Sequence, residues 1–254
     1  MSTKKQSFFD QVSVGSWIQI GHPAVAEIMA SAGFDWLAID LEHSAITLRE
    51  AEDLIRIIDL KGVTPFVRLS SVNEEQIKRV MDAGAVGIIA PMVTCAEEAQ
   101  RVVDASKYPP EGSRSIGLAR AQGYGARFDE YFERQKDELI AVVQIEHVNA
   151  VENLEEILMV PGVDAYIVGP YDLSGSIGKP GQFEDPEYLQ LVRKIRTVAQ
   201  DLKMPGGVHL VEPDPETLRH SIEEGNRFIA YGVDTRMLDT CCREGVNVWK
   251  GVTG

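Results

Sequence analysis

The strongest constraint on this chain is a rhythm. Short apolar runs alternate with amphipathic stretches from one end to the other, the runs falling at residues 16–20, 36–40, 65–68, 87–90, 140–145, 165–168, 206–209 and 228–231. Most are continuously apolar rather than alternating, which is what parallel strands covered on both faces require. Helical patterns lie between them. Residues 23–31 open with proline, suited to a first helical turn. Residues 47–59 open with Thr-Leu-Arg-Glu, a capping-box pattern, and place Leu54, Ile55 and Ile58 on one face. Asn73 is positioned to cap a helix over 73–83, and further helical patterns cover 95–106, 151–158, 186–202, 214–224 and 235–243. About eight β–α units in 254 residues predict an α/β chain folded as one (β/α)8 TIM barrel over residues 1–254. A doubly wound open sheet is the alternative.

The formal net charge of −14 argues against nucleic acid, which needs a concentrated positive field. It leaves room for an anionic substrate, because one arginine and one metal ion can reverse the field locally. Three cysteines, Cys95, Cys241 and Cys242, make no disulfide framework or zinc spacing, so a cytoplasmic setting is expected. The basic start, residues 1–6, is not followed by an apolar signal core, and no apolar run is long enough to span a membrane.

The informative residues stand at the strand tips. Arg68 ends Thr-Pro-Phe-Val-Arg, Asp40 ends Trp-Leu-Ala-Ile-Asp, and Glu42 and His43 follow directly. Glu146 lies just past Val-Val-Gln-Ile, Asp172 lies just past Tyr-Ile-Val-Gly-Pro-Tyr, and His209 ends a strand. In a parallel barrel all these tips share the rim where such barrels do chemistry. Glu146 and Asp172 together suit a hard divalent cation that keeps positions open for water and substrate. Arg68 beside them suits a carboxylate or a developing enolate oxygen. His43, next to carboxylates, suits acid–base work, and spacing does not choose between Asp40 and Glu42 as the group that orients it. Asp82 sits near the C-terminal end of a helix, where negative charge is slightly unfavourable, a hint of some compensating role. No lysine ends a strand, so a Schiff-base mechanism has no candidate, and a carbon nucleophile would have to be stabilised by a metal. The long connection over 107–135, with Arg114, Arg120 and several glycines, is read as a functional flap.

The ordered set Ala-Gly-Phe-Asp-Trp-Leu-Ala-Ile-Asp-Leu-Glu-His, Pro-Phe-Val-Arg, Val-Met-Asp-Ala-Gly-Ala, Tyr-Pro-Pro-Glu-Gly-Ser-Arg-Ser, Gln-Ile-Glu, Gly-Pro-Tyr-Asp-Leu-Ser and Tyr-Gly-Val-Asp-Thr resembles the HpcH/HpaI family of metal-dependent class II pyruvate aldolases. The resemblance implies a TIM barrel whose last helix swaps between subunits of a hexamer. It implies Mg²⁺, Mn²⁺ or Co²⁺ on Glu146 and Asp172, a 2-keto acid chelated to that ion, and an aldehyde partner. Arg68 would hold the keto oxygen, Gln144 would support the site, Gly169 and Pro170 would border the pyruvate pocket, and His43, paired with Asp40, would move the proton. Asp82 matches a position near a subunit contact. Ser174 closes the Asp172 motif and is expected at the substrate, as is His209, which stands where similar proteins carry an apolar residue. The expected reaction is reversible cleavage of a 4-hydroxy-2-keto acid to pyruvate and an aldehyde. An oxaloacetate-type decarboxylase on the same residues and a non-catalytic keto-acid-binding barrel are the alternatives.

Overall fold

The computed structural model describes residues 4–253, so Met1 to Thr3 of the basic start and Gly254 of the tail lie outside the described residues. Eight strands, β1 Ser13–Ile18, β2 Trp36–Asp40, β3 Thr64–Arg68, β4 Gly87–Ala90, β5 Ile140–Ile145, β6 Ala165–Val168, β7 Gly206–Leu210 and β8 Phe228–Val233, form a closed barrel in sequence order. All neighbours pair in parallel, and β1 closes on β8. The helices are α1 Lys4–Phe9, α2 Pro23–Ser31, α3 Leu48–Leu60, α4 Glu74–Ala83, α5 Ala96–Ser106, α6 Phe128–Glu138, α7 Val148–Glu152, α8 Leu154–Leu158, α9 Pro170–Ser176, α10 Pro186–Asp201, α11 Pro215–Glu223 and α12 Asp234–Thr253. The open-sheet alternative is excluded by closure.

Local signals explain the helix starts. Thr47 and Glu50 form the reciprocal capping box of α3, and Asn73 accepts from the Gln76 N–H to open α4. One apolar layer lies between strands and helices and includes Leu54, Ile55 and Ile58 of α3 and Ile77, Val80 and Met81 of α4. A second fills the barrel. Trp36 stacks on Phe228 with centroids 4.3 Å apart, and Phe66 lies 5.5 Å from Phe228. Phe8 of α1 reaches Phe66 and Phe228 from below, at 6.0 and 6.3 Å. Strand beginnings are thus plugged by aromatic rings, and polar side chains cluster at strand ends. The plug needs glycines opposite the rings: a Cβ at Gly15 or Gly87 would run into Trp36 or Phe66.

Two expectations change. The connection over 107–135 is not a flap over the rim. It follows α5, so it runs across the strand-beginning face, and its last part is α6. Arg114 is buried and pinned, Nη2 donating to Asp82 at 2.5 Å and Nη1 to the Tyr131 hydroxyl at 2.9 Å. Gln122 Nε2 adds a bond to the Tyr108 hydroxyl at 2.6 Å. The final helix does not stop at residue 243. It continues to Thr253, largely exposed past Cys241, because nothing in residues 244–253 breaks it.

Gly87→Ala should cost about 1–3 kcal/mol of unfolding free energy, because the Phe66 ring must move out of a close-packed plug. Denaturant melts of the two proteins measure it, and an unchanged midpoint would mean the ring yields freely.

Candidate active site

Asp40 and Arg68 are directly paired across β2 and β3, both at strand ends. The register puts their side chains on one face, and they form a two-pronged ion pair. Arg68 Nε donates to Asp40 Oδ1 at 2.9 Å and Nη2 to Oδ2 at 2.7 Å. Asp40 is 0% exposed, and the Arg68 side chain is 6% exposed. The remaining capacity of Asp40 is filled by Gln19 Nε2 at 2.9 Å and by the backbone N–H groups of Glu42 and His43 at 3.0 and 3.2 Å. Burial alone would raise the Asp40 pKa. The Arg68 guanidinium, Gln19 and the His43 N–H outweigh it, and the carboxyl is held below its ordinary value. Arg68 stays charged: burial opposes this, but Asp40, Glu42 and Glu146 push its pKa up. Its guanidinium also lies 4.5 Å over the Trp17 ring.

The imidazole of His43 is partnered by Glu42, not by Asp40. Nε2 lies 3.7 Å from Glu42 Oε2, and the His43 side chain is 56% exposed at the rim. Asp40 has no lone pair to spare for the ring once the arginine fork, Gln19 and two N–H groups are served. Glu42 Oε2 lies 3.3 Å from Arg68 Nη1 yet makes no hydrogen bond. Burial and the repulsion of Asp40 and Asp172 raise the Glu42 pKa, against Arg68 and His43.

Glu146 is 1% exposed. Its Oε1 accepts from the Met92 N–H at 2.7 Å, and Oε2 accepts from Gln144 Nε2. Met92 offers that N–H from a left-handed conformation, φ 53°. Burial, with repulsion from Glu42 and Asp172, pushes the Glu146 carboxyl up to about 8 despite the Met92 bond. Asp172 lies exposed in the first turn of α9. Gly169 precedes that turn, and a Cβ there would strike Glu146 and Gln144, so only glycine lets the β6 end close on this carboxylate. Gln144 Oε1 is buried with no hydrogen-bond partner.

This set fits a divalent cation. Glu42, Glu146 and Asp172 repel one another in a pocket of low polarity, and Gln144 leaves an unused oxygen. Among the described residues no three or more histidine, cysteine, aspartate or glutamate side chains are gathered as a ready ligand cluster. Two protein carboxylates with open positions are the arrangement of a cation that retains water and takes substrate directly.

His209 also belongs here. Its ring packs edge-on against Trp17 at 5.3 Å, and its Nε2 is buried and unpartnered. Two expected residues stand elsewhere. Ser174 is buried and spends its hydroxyl locally, donating to the Tyr171 carbonyl at 2.9 Å and accepting from the Gly181 N–H at 3.0 Å. Asp82 lies at the far end of α4, engaged with Arg114 and Gln122. Sequence reasoning missed Gln19, which follows β1 but carries no charge, and Trp17, which reads as an ordinary apolar strand residue. It weighed Glu42 only as a neighbour of His43.

Residues 13–240 match the HpcH/HpaI aldolase/citrate lyase family. The chain belongs to that family. A hydroxypyruvate/pyruvate aldolase of Cupriavidus necator is 36% identical over 92% of this chain and 87% of its own. A 2-keto-3-deoxy-L-rhamnonate aldolase of Escherichia coli K12 is 34% identical over 94% of this chain and 90% of its own. The crystal structure of an HpcH/HpaI aldolase from Desulfitobacterium hafniense superposes with a TM-score of 0.89 at 32% identity, covering 98% of this chain and 97% of the other. This aldolase is therefore a carbon–carbon lyase of a family that is divalent-metal-dependent in general.

The raised Glu146 pKa has a consequence for stability in chelator. The folded protein keeps a proton on Glu146 up to about 8, whereas the unfolded chain releases it near the ordinary 4.5. Between those values the unfolded state binds fewer protons, so stability falls as pH rises. Unfolding free energy in EDTA should drop by on the order of 1–4 kcal/mol from pH 5 to pH 8 more than in Glu146→Gln. Matching pH profiles in the two proteins would show that Glu146 ionises without cost.

Proposed function

We propose that this aldolase cleaves a 4-hydroxy-2-keto acid, reversibly, to pyruvate or a close 2-keto acid and an aldehyde. The observation that carries the reading is one charged arginine, locked by Asp40, facing a desolvated carboxylate group on the rim of a family-matched barrel. Glu146 and Asp172 hold a divalent cation, Mg²⁺, Mn²⁺ or Co²⁺. When bound, the cation supplies Lewis-acid attraction for the keto and carboxylate oxygens of the substrate. Arg68 presents its guanidinium to the keto oxygen as charge develops there, and the fork to Asp40 holds that guanidinium in place. Gln144 supports Glu146 and offers its free Oε1. The Gly169–Pro170 backbone borders the pocket.

The retro-aldol step needs the 4-hydroxyl proton removed while the C3–C4 bond breaks and its electron pair moves toward the keto oxygen. His43 is the rim-exposed base for that proton, with Glu42 Oε2 3.7 Å from its Nε2. In the synthetic direction the same pair returns it.

Changing the two carboxylates and the arginine separates binding from chemistry. Glu146→Ala and Asp172→Ala should each abolish metal-dependent exchange of pyruvate methyl protons in heavy water, followed by NMR, while circular dichroism stays native. Arg68→Lys should retain metal binding and lose about 10²–10³ in rate. Wild-type exchange in either carboxylate variant would refute the metal assignment.

The aldolase is also proposed to act as a homo-oligomer, a hexamer by family expectation, with α12 exchanged between neighbours, one barrel over residues 1–254 in each subunit, and the cytoplasm as its location. Support comes from α12, where Val248, Trp249 and Val252 are exposed, Trp249 to 62%. It also comes from the unpaired thiols of Cys95, Cys241 and Cys242. No described helix is long and apolar enough to cross a membrane. Sedimentation equilibrium should read several subunits, and Val248→Asp with Val252→Asp should lower that mass. A monomeric wild type would exclude the assembly.

A further inference from the structure

His209 is a polar group at the rim for which the reaction above has no use. It pairs with Ala230 in the β7–β8 register. Paired residues of neighbouring strands share a face, and Ala230 lies in the barrel-filling layer, so His209 points inward. It sits at the rim end of β7, above the rings that plug the barrel. It and Arg68 both pack on Trp17: the His209 and Trp17 ring centroids are 5.3 Å apart in an edge arrangement, and the Arg68 guanidinium lies 4.5 Å from the Trp17 ring centre. Imidazole, indole and guanidinium therefore make one continuous wall beside the site of the developing enolate.

The two ring nitrogens are not equivalent. One hydrogen-bonds the Gly232 backbone, which raises the ring's basicity. That carbonyl also receives the Ser16 hydroxyl at 3.3 Å. Nε2 is buried and has no partner, so the bond to Gly232 is made by Nδ1–H. In a neutral imidazole with its proton on Nδ1, Nε2 is an acceptor only. The ring is neutral at working pH: burial and the nearby Arg68 charge push its pKa down to about 3. A nitrogen so weakly basic is no proton carrier. Protonating it would also set a second cation against Trp17 and near Arg68. What remains is a fixed, desolvated lone pair on the inward side of the rim, on a ring that shares Trp17 with Arg68, and its complement is an O–H donor.

We propose that His209 Nε2 accepts a hydrogen bond from a substrate hydroxyl next to the reacting carbons and so selects hydroxylated substrates over their deoxy counterparts. The inference rests on the aldolase reading above and deepens it. The hydroxyl is either that of a 3-hydroxy-2-keto acid acting as nucleophile or that of a 2-hydroxyaldehyde acting as electrophile. The first carries its O–H on the carbon that forms the new bond, and the second on the carbon next to it. His209 is a specificity-determining residue in this scheme. An apolar side chain at this position would accept either substrate class, whereas a buried lone pair left unpaired by the wrong substrate penalises it.

The test is aldol synthesis by the Mn²⁺-loaded protein with four substrate pairs: pyruvate or hydroxypyruvate as nucleophile, each with acetaldehyde or glycolaldehyde. The readout is the ratio of kcat/KM for hydroxylated against deoxy partner, compared between wild type, His209→Leu and His209→Gln. The wild-type ratio should exceed one in at least one arm, and that arm locates the hydroxyl. His209→Leu should lower it roughly ten- to hundredfold, and His209→Gln, which restores an acceptor oxygen, should recover part of it. A ratio unchanged within about twofold in both variants, or all four pairs falling together, overturns the assignment. Should His209→Leu not fold, His209→Phe, which also lacks an acceptor, takes its place under the same criterion. Metal-dependent proton exchange of pyruvate by the wild type is the control. Its absence overturns the aldolase reading itself, whereas exchange with an unchanged ratio overturns only the role of His209.

Discussion

The buried fork between Arg68 and Asp40 is the interaction on which the rim depends. Taking both charges out of water costs several kcal/mol per ion, and their attraction repays this only with good geometry and satisfied remaining lone pairs. Both conditions hold. The fork is two-pronged, and Gln19 and two backbone N–H groups complete Asp40. Three strand ends are tied by it, because Gln19 follows β1, Asp40 ends β2 and Arg68 ends β3. The same hydrogen bonds draw the chain after β2 into a tight turn, which sets Glu42 beside Arg68 and His43 at the rim. An arginine so placed cannot swing to meet its substrate. Its dipole is already aimed, which is where electrostatic catalysis gains most over water.

Against this fixed cation stand more negative charges than it can neutralise. Asp40 is spent on Arg68, leaving Glu42, Glu146 and Asp172 to repel one another. The protein holds Glu146 in place with the Met92 N–H, Gln144 and the missing Cβ of Gly169, so relaxation by rotation is blocked. Protonation of Glu146 is the available relief in the absence of a cation, and a divalent ion is the alternative. This resolves an apparent conflict in a chain of net charge −14 that must bind an organic anion. The carboxylates attract the cation, and the cation with Arg68 attracts the acid.

Much of this was legible in the sequence, for a physical reason. In a parallel barrel the apolar run of a strand ends where the interior ends, so the first charged residue marks the rim. Asp40 and Arg68 fall on the last residue of β2 and β3, and Glu146 lies one past β5. What stayed hidden depends on packing across the barrel. Trp17 and Gln19 have ordinary sequence surroundings, and only closure of β1 on β8 and β2 brings them to Arg68. The pairing of His43 with Glu42 rather than Asp40 was set by a count of lone pairs that spacing does not contain. Helix α6 was lost in the long connection because its sequence is mostly polar; it is held by burial of Tyr131 and Gln135. Ser174 shares a motif with Asp172 but faces inward from α9, two residues away from the exposed side.

Asp82 shows how a charged residue away from the rim is used in this barrel. It ends α4, and in a βα barrel a helix ends at the face where the next strand begins. Strand β4 starts at Gly87, so the span of a strand, on the order of 15 Å, lies between Asp82 and the rim. Asp82 is moreover occupied: Arg114 and Gln122 bind its Oδ1 and use it to pin the connection below the barrel. The aromatic plug of Trp36, Phe66 and Phe228 closes any route between the faces through the interior. Within one subunit, then, Asp82 stabilises the connection.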